Sequence, residues 1–139
     1  MNEGTGVNAD LETLLPEIID RFPGLLAIYI HGSRARGQAS QGSDLDLALL
    51  AQAELPPLKL WETAQDLAFR LGTDVDLLDL RKASIVMQMQ VITNGRLLYC
   101  RDEAACGAFE NLTYSKYARL NEERAGILQG IAQRGSIHG

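Results

Sequence analysis

The chain has 139 residues, a net charge of −5 and a hydrophobic fraction of 46%. This length predicts one domain over 1–139, in which residues 1–9 and 134–139 are expected to be loose ends. The hydrophobic fraction excludes collagen-like and wholly disordered chains. The acidic charge argues against non-specific binding of a nucleic-acid backbone, which requires basic surface. No direct nucleic-acid partner is therefore expected.

The chain lacks the sequence features of a membrane or secreted protein. The longest uninterrupted apolar run is Leu25–Ile30, whereas a membrane span needs about 20 residues. The N-terminal segment is polar and acidic and does not fit a secretory signal. Cys100 and Cys106 match no zinc-binding or CxxC spacing, so they are interpreted as reduced thiols. These features predict a cytoplasmic protein without membrane contact.

The first half of the chain predicts a helix followed by short buried strands. Apolar residues from Leu11 to Phe22 recur at helical spacing. Pro16 fits best in the first turn of that helix, with Thr13 as its cap. The runs that are short and apolar enough for strands are Leu25–Ile30, Asp44–Leu50 and Asp74–Leu80.

The second half continues the alternation of helices and strands. Leu58–Leu71 is predicted as a helix that ends at Gly72, with Trp61 on its buried face. The remaining predicted elements are a helix over Ser84–Thr93, a strand over Arg96–Cys100 and a last helix from the Asp102 cap to about Gln133. Such alternation predicts an α/β sheet covered by helices.

The last predicted helix is expected to contribute to both the core and the surface. Phe109 and Leu112 are interpreted as core residues. For Ile127, Leu128 and Ile131, contact with a partner protein is a second hypothesis beside packing within the domain.

The segment from His31 to Asp46 carries the candidate chemistry. Asp44 and Asp46 lie two residues apart in a predicted strand, so both carboxylates project from one face. Adjacent like charges repel and raise the pKa of one carboxyl group, and a divalent cation removes that penalty. Mg²⁺ suits the pair because it prefers one or two carboxylates together with water and substrate phosphates.

The start of the same segment has the features of an anion-binding turn. Gly32 follows a strand directly and allows a tight turn and close approach of a ligand. Ser33 can cap a helical turn whose N–H groups then point at an anion. Arg34 and Arg36 add positive charge, either toward a nucleotide or on the surface. Ser43 either caps a turn or contacts phosphate.

A third carboxylate is available in the strand Asp74–Leu80. Asp74 and Asp76 share a face, whereas Asp79 lies on the other and is expected to be a surface or hydrogen-bonded residue. Asp76 is the better candidate because it lies further into the strand, although Asp74 remains open. Three carboxylates suit two metal ions that bridge the attacking and leaving oxygens of a phosphoryl displacement.

These motifs resemble those of a known family. Gly32-Ser33, ten further residues and then Asp44-Leu45-Asp46 resemble the signature of the polymerase-beta-like nucleotidyltransferases. With VDLLDL following, the chain is similar to the minimal nucleotidyltransferases of that superfamily. The resemblance implies an α/β (α+β) fold with a small mixed sheet covered by helices. It also implies ATP as donor, Mg²⁺ as cofactor with two ions, and transfer of AMP to a hydroxyl group.

The resemblance also implies residue roles. Gly32 and Ser33 would hold the triphosphate, Asp44 and Asp46 would bind both metal ions, and Asp76 would bind one ion and help deprotonate the acceptor. His31 stands where many relatives have an aromatic residue, and we expect it to affect packing beside the turn.

The acceptor is predicted to belong to another protein. Only about 60 residues follow the third predicted strand, which leaves little surface to enclose a small ligand. Minimal nucleotidyltransferases are commonly antitoxins of HEPN toxins, so the resemblance implies a hetero-oligomer with a cognate HEPN ribonuclease toxin that is adenylylated at tyrosine. The alternatives are a small-molecule acceptor such as an aminoglycoside and a non-catalytic antitoxin that acts by binding alone. A DxD glycosyltransferase is disfavoured by the short chain.

Overall fold

A mixed four-stranded sheet organises the part of the chain that the structure describes. The computed structural model describes the backbone of residues 6–32 and 44–138, and the side chains of residues 11–32 and 44–133. Within these ranges the strands are β1 (Leu25–His31), β2 (Leu45–Ala51), β3 (Val75–Asp79) and β4 (Arg96–Cys100). Their spatial order is β3-β2-β1-β4. β1 is antiparallel to β2 and β4, whereas β2 and β3 are parallel.

Helices cover both faces of this sheet. They are α1 (Gly6–Arg21), α2 (Pro57–Leu71), α3 (Ile85–Asn94) and α4 (Glu103–His138). α1 and α2 bury Ile18 and Leu67 on one face, whereas α3 and α4 bury Val91 and Phe109 on the other. The predicted order of strands and helices and the mixed, helix-covered sheet are confirmed.

The central strands restrict where polar side chains can lie. Because β1 and β2 are covered on both faces, both of their alternating sets of side chains must be apolar. Every residue of β2 from Leu47 to Ala51 is buried, and so is every residue of β1 from Leu25 to Ile30. Apart from Tyr29, whose hydroxyl is hydrogen-bonded, the polar side chains of these two strands are His31 and Asp46, where the strands meet one edge of the sheet. The packing of the core therefore places the polar groups at that edge.

The structure corrects the predicted limits of two helices. α1 begins at Gly6, so Thr13 is not its cap and Pro16 lies inside the helix. Leu11 lies before the predicted cap and is buried, and the packing of this earlier turn outweighs the one backbone hydrogen bond that a proline removes. α4 runs unbroken to His138, beyond the predicted end at Gln133.

The predicted inner faces of two helices also need correction. In α2, Leu60 and Leu67 are buried, whereas Trp61 is 61% exposed. Ala64 and Leu67 of the predicted face are buried, so the error lies in the first turns. Neighbouring helical positions differ by about 100° around the axis, and Leu60, not Trp61, faces the core there. In α4, Phe109 is buried as predicted, but Leu112 is 53% exposed.

The direction of α4 follows from its contacts with β1. The Cys106 thiol lies 3.7 Å from the carbonyl oxygen of Leu26. One turn later, Glu110 accepts a hydrogen bond of 2.7 Å from the Tyr29 hydroxyl. α4 therefore runs along β1 toward His31. Thr113 is the last buried side chain among the described residues of α4, so the helix continues past the core on that side.

Candidate active site

Three polar residues form a row across three strands at one edge of the sheet, where β1 ends and β2 and β3 begin. His31 pairs with Asp46 in the β1–β2 register, and Asp46 pairs with Asp76 in the β2–β3 register. Residues that are opposite each other in neighbouring strands point to the same face. The row therefore joins an imidazole and two carboxylates that are far apart in the sequence.

The strand alternation identifies the face on which this row lies. Leu45 and Leu47, on either side of Asp46, belong to the core beneath α1 and α2. Ala48, two residues after Asp46, belongs to the core beneath α3 and α4. The row consequently lies on the α3–α4 face, at the edge toward which α4 runs. Asp44 directly precedes β2, two residues before Asp46.

The carboxylates are accessible to a ligand. Asp46 is half-buried, whereas Asp44 and Asp76 are exposed. Asp74 is exposed as well, but its carbonyl oxygen accepts a hydrogen bond from the Leu45 N–H, one position before the Asp46–Asp76 pair. The register therefore gives Asp76 the place opposite Asp46.

Gly32 leaves the space that the Asp46 carboxylate occupies. Its φ of +74° lies in the left-handed region, which favours glycine. A Cβ atom at this position would overlap the Asp46 side-chain oxygen Oδ2. Any other residue would therefore strain the turn and displace the carboxylate. The sequence placed Gly32 at a tight turn, and the structure adds this contact with Asp46.

His31 lies closer to the carboxylates than its predicted packing role implied. Its Nε2 atom is buried and has no hydrogen-bond partner among the residues that the structure describes. Burial lowers the pKa of His31, and the carboxylates of Asp46 and Asp76 act in the opposite direction. The net shift favours the neutral imidazole. Its position at the end of an apolar strand, directly before Gly32, was the sequence signal for this placement.

Asp79 differs from Asp76, although both belong to β3. The Asp79 carboxylate is buried and accepts hydrogen bonds from the backbone N–H groups of Leu55, at 2.8 Å, and Arg81, at 3.2 Å. The prediction of a hydrogen-bonded strand residue is confirmed. Such a carboxylate fixes the loop that follows β2 and takes no part in the row at the opposite edge.

The donor set fits a divalent cation. Mg²⁺ prefers carboxylate oxygens and completes its coordination with water and phosphate oxygens, and Asp44, Asp46 and Asp76 offer such oxygens at an accessible edge. Among the side chains of residues 11–32 and 44–133, no three acidic, histidine or cysteine groups already converge as metal ligands. An ion would therefore have to draw the exposed carboxylates toward Asp46 by side-chain rotation.

Four predicted nucleotide-binding residues lie outside the described part of the chain. They are Ser33, Arg34, Arg36 and Ser43. The predicted helical turn capped by Ser33 lies outside it as well. The structure thus describes Gly32 and the three carboxylates from the predicted site.

A cleft of about 310 Å³ lies away from this row. It is lined by Leu11, Glu12 and Leu15 of α1 and by Arg96 and Leu98 of β4. Leu11 and Leu98 belong to the core on the α1–α2 face of the sheet. Because the carboxylate row lies on the other face, this cleft does not bring a ligand to it.

Comparison with known proteins identifies the family. The model of the polymerase beta nucleotidyltransferase family matches residues 14–104, which include all four strands and the carboxylate row. The chain belongs to this family. The resemblance of the Gly-Ser and Asp-Leu-Asp motifs to the polymerase-beta-like nucleotidyltransferases is thereby confirmed.

Relatives of this nucleotidyltransferase include a protein-modifying enzyme. The chain is 40% identical over 112 residues to the protein adenylyltransferase MntA of Shewanella oneidensis, covering 81% of this chain and 80% of the relative. A crystal structure of a toxin–antitoxin with AMP-PNP matches with a TM-score of 0.75 and 38% identity, over 90% of this chain and 97% of that chain.

A third comparison includes a modified toxin. The structure of the tri-AMPylated Shewanella oneidensis HEPN toxin in complex with the MNT antitoxin matches this nucleotidyltransferase with a TM-score of 0.70 and 36% identity. The match covers 90% of this chain and 95% of that chain. The predicted membership of the minimal, MntA-type group is confirmed.

The helices were also compared with the requirements of a membrane span. None of those within the described ranges combines sufficient length with sufficient apolar character to cross a bilayer.

Proposed function

We propose that this chain is an antitoxin that transfers AMP from ATP to a tyrosine hydroxyl of a cognate HEPN ribonuclease toxin. The register of Asp46 with Asp76 beside Gly32 carries this proposal, because it places accessible carboxylates next to the left-handed glycine turn that follows β1. The relatives support the acceptor class, since one is named a protein adenylyltransferase and another is complexed with an AMPylated HEPN toxin. We place the reaction in the cytoplasm.

The carboxylates would hold two Mg²⁺ ions. Asp44 and Asp46 are assigned to both ions, and Asp76 to one. When bound, Mg²⁺ neutralises the charge of the triphosphate and of its leaving diphosphate. Asp46 is the central ligand because it lies between His31 and Asp76 in the row. The ATP that carries these ions would contact a separate set of residues, namely Gly32, Ser33, Arg34, Arg36 and Ser43.

The proposed transfer is an in-line displacement. The tyrosine oxygen forms a bond with the α-phosphorus of ATP, and the bond from that phosphorus to the bridging oxygen of the diphosphate breaks. Asp76 accepts the phenolic proton, since it is exposed at the outer end of the row where an acceptor can approach. Diphosphate leaves and the toxin retains AMP. The added bulk and negative charge at its ribonuclease site would block RNA.

The projecting part of α4 is the surface on which we place the toxin. Ile127, Leu128 and Ile131 are 61%, 65% and 53% exposed. Ile131 follows Leu128 by three residues and Ile127 by four, and both spacings place side chains next to each other on the helix surface. Since α4 runs along β1 toward the carboxylate edge, a protein held there would lie on the side of the sheet where transfer occurs.

Labelled ATP tests the reaction and its acceptor. The full-length chain is incubated with Mg²⁺, the cognate toxin and ATP that is labelled either at the α-phosphorus or at the γ-phosphorus. We expect α-label on a toxin tyrosine and none from γ-labelled ATP. Asp44→Asn and chelation of Mg²⁺ should abolish labelling. Absence of α-label from the toxin would contradict the proposal.

Two further arms separate the alternatives. Label on an added aminoglycoside, with none on protein, would identify a small-molecule enzyme. Neutralisation of the ribonuclease that is unchanged in Asp44→Asn would identify an antitoxin that acts by binding alone.

A charged substitution tests the proposed docking surface. Leu128→Asp should weaken toxin binding by about 10-fold or more, because it places an unpaired charge in an apolar contact. Gln129→Asp is the matched control, since it adds the same charge at an adjacent exposed residue. Titration of labelled toxin with each variant measures the dissociation constants. Equal weakening by both variants would show that net charge, and not the apolar face, controls binding.

The single-domain prediction is tested by unfolding. If residues 1–139 form one domain, circular dichroism at 222 nm and Trp61 fluorescence should show the same midpoint in urea. Different midpoints would indicate two independently unfolding parts.

A further inference from the structure

Two thiols lie in close contact at the edge of the sheet remote from the carboxylate row. Cys100 is the last residue of β4, and Cys106 lies in the first turn of α4. Both are free cysteines, and their Sγ atoms are 2.9 Å apart. That separation is about 0.9 Å longer than the S–S bond of a disulfide. A small movement would therefore bring the two sulfurs to bonding distance.

Backbone hydrogen bonds hold both ends of the segment that joins these thiols. The Arg101 N–H donates to the carbonyl oxygen of Leu26 at 2.7 Å, which extends the pairing of β4 with β1. The Asp102 side chain caps α4 by accepting from the Ala105 N–H at 3.1 Å. The Cys106 N–H donates to the Asp102 carbonyl oxygen at 3.0 Å. The close approach of the thiols is thus determined by the junction between strand and helix.

We propose that Cys100 and Cys106 are a modification site at which a hydroperoxide oxidises the two thiols to an intramolecular disulfide. In the first step the Cys100 sulfur attacks a peroxide oxygen, the O–O bond breaks, the other oxygen leaves as water or alcohol with the thiol proton, and Cys100 becomes a sulfenic acid. In the second step the Cys106 sulfur attacks the Cys100 sulfur, and the sulfenic oxygen leaves as water with the Cys106 proton. With hydrogen peroxide, two thiols and one peroxide give one disulfide and two waters.

The burial of the two thiols determines the order of these steps. Cys106 is buried, whereas Cys100 is half-buried and more accessible to a dissolved oxidant. Burial also raises the pKa of Cys106 to about 12, so its thiolate is scarce at neutral pH. Because the thiolate is the nucleophile, Cys100 reacts first and Cys106 acts as the resolving thiol. Burial thus slows the direct oxidation of Cys106. The packing around it holds the Cys106 sulfur in contact with the Cys100 sulfur, where it can attack the sulfenic acid.

The bond would tie the first turn of α4 to the edge strand of the sheet. Both cysteines lie in the core between α4 and β1, and the closed loop contains only the residues from 100 to 106. The disulfide should therefore raise the melting temperature modestly, because a short loop loses little entropy on closure. This inference is independent of the proposed function, since it concerns only residues remote from the carboxylate row.

Mass spectrometry of the intact chain tests the proposal. After treatment with hydrogen peroxide, the full-length protein should lose the mass of two hydrogen atoms, remain monomeric, and recover its original mass with dithiothreitol. Peptide mapping should join Cys100 to Cys106. A gain of oxygen mass without loss of hydrogen, or a disulfide-linked dimer in place of the internal bond, would overturn the proposal.

Substitutions distinguish the two thiols. Cys106→Ser should stop the reaction at an oxidised Cys100, and Cys100→Ser should leave Cys106 largely unreactive. Cys106 is buried, so its substitution can unfold the chain. Cys100→Ser, at the half-buried position, is the second variant because it is expected to fold. The chain has two cysteines, so each variant leaves one thiol whose oxidation can be followed alone. If folded Cys100→Ser gains oxygen at Cys106 as fast as folded Cys106→Ser gains it at Cys100, the assigned order of the two steps is wrong.

Discussion

The two edges of the sheet use the same kind of side chain for different purposes. Asp79, at one edge, is buried and accepts hydrogen bonds from two backbone N–H groups. Asp76, three residues earlier in β3, is exposed and lies opposite Asp46. One edge is closed by hydrogen bonds within the chain, and the other presents carboxylates to a ligand. The role of a carboxylate in a strand therefore depends on the groups around it and not on the motif that contains it.

The contrast extends to the backbone. At the closed edge, the Gln52 N–H donates to the Gly24 carbonyl oxygen at 2.9 Å, and the Arg81 guanidinium donates to the carbonyl oxygen of Ala51. At the open edge, Gly32 adopts a left-handed conformation that only glycine combines with the position of Asp46. Stability and chemistry thus depend on different ends of the same strands. Substitutions at one end should therefore change stability, and substitutions at the other should change activity.

The largest effect is expected from Asp46→Asn. Asp46 is central in the carboxylate row, and loss of its charge removes a ligand proposed to be shared by both metal ions. Transfer of AMP to the toxin should fall by about 10³-fold or more, which corresponds to several kcal/mol of transition-state stabilisation. The melting temperature should change little. Circular dichroism measures whether the variant is folded. If activity is lost only because the variant unfolds, the two edges do not differ in function.

Gly32→Ala should reduce activity through the position of Asp46. The added Cβ would overlap the Asp46 carboxylate, and a displacement of about 1 Å near reacting groups can cost 10²-fold. We therefore expect a fall of about 10–100-fold in the rate of AMP transfer under single-turnover conditions.

Two other glycines separate the contact of Gly32 from its backbone strain. Gly72 has a similar φ of +70°, but a Cβ there would meet nothing within 4 Å. A Cβ at Gly24 would approach no atom closer than 3.9 Å, and its φ is not in the left-handed region. Gly72→Ala should lose stability and keep activity, and Gly24→Ala should change neither. An equal loss of activity in Gly72→Ala would refute the role of the contact with Asp46.

Asp79→Ala should affect stability and not chemistry. It leaves the N–H groups of Leu55 and Arg81 without their acceptor, and hydrogen bonds to a charged group contribute about 1.5–3 kcal/mol. The free energy of unfolding in urea should fall by about 3 kcal/mol. AMP transfer by the folded fraction should match that of the wild type. The exposed Asp76→Ala is the control and should stay within about 0.5 kcal/mol of the wild type.

Tyr29→Phe should have the smallest effect, because its hydroxyl lies between the two edges. It removes the hydrogen bond of 2.7 Å from Tyr29 to Glu110 that links β1 with α4. Burial and this bond raise the pKa of Tyr29, so its neutral form persists across the pH range of folding. A loss of about 1 kcal/mol in the free energy of unfolding is expected, with AMP transfer unchanged. Tyr114→Phe, on the exposed side of α4, should be neutral in the same urea titration.

The sequence was sufficient to predict the strands because a central strand must be apolar on both faces. The predicted limits of the second strand, Asp44–Leu50, lie within one residue of β2, and Arg96–Cys100 matches β4. The faces of α2 were harder to predict, since two adjacent stripes are both apolar and only the sheet selects between them. The start of α1 was wrong because Pro16 was treated as a boundary, although a longer apolar stripe can include it.

The candidate site was predictable where the motif and the strand register agree. The Asp44-Leu45-Asp46 motif and the parallel neighbour strand gave the carboxylates, and the register gives Asp76, not Asp74, the place opposite Asp46. The contact between Gly32 and Asp46 and the proximity of His31 to the row depend on distances across strands, which periodicity does not encode. The roles of Ser33, Arg34, Arg36 and Ser43 stay predictions.

The rate of AMP transfer to the toxin by Asp76→Asn and Asp79→Asn, measured in parallel under single-turnover conditions, tests the central claim most directly. The two substitutions remove the same charge from the same strand, at opposite edges of the sheet. We predict that folded Asp79→Asn retains the wild-type rate, whereas Asp76→Asn loses at least about 10²-fold. Equal rates in the two variants would contradict the assignment of the chemistry to the open edge.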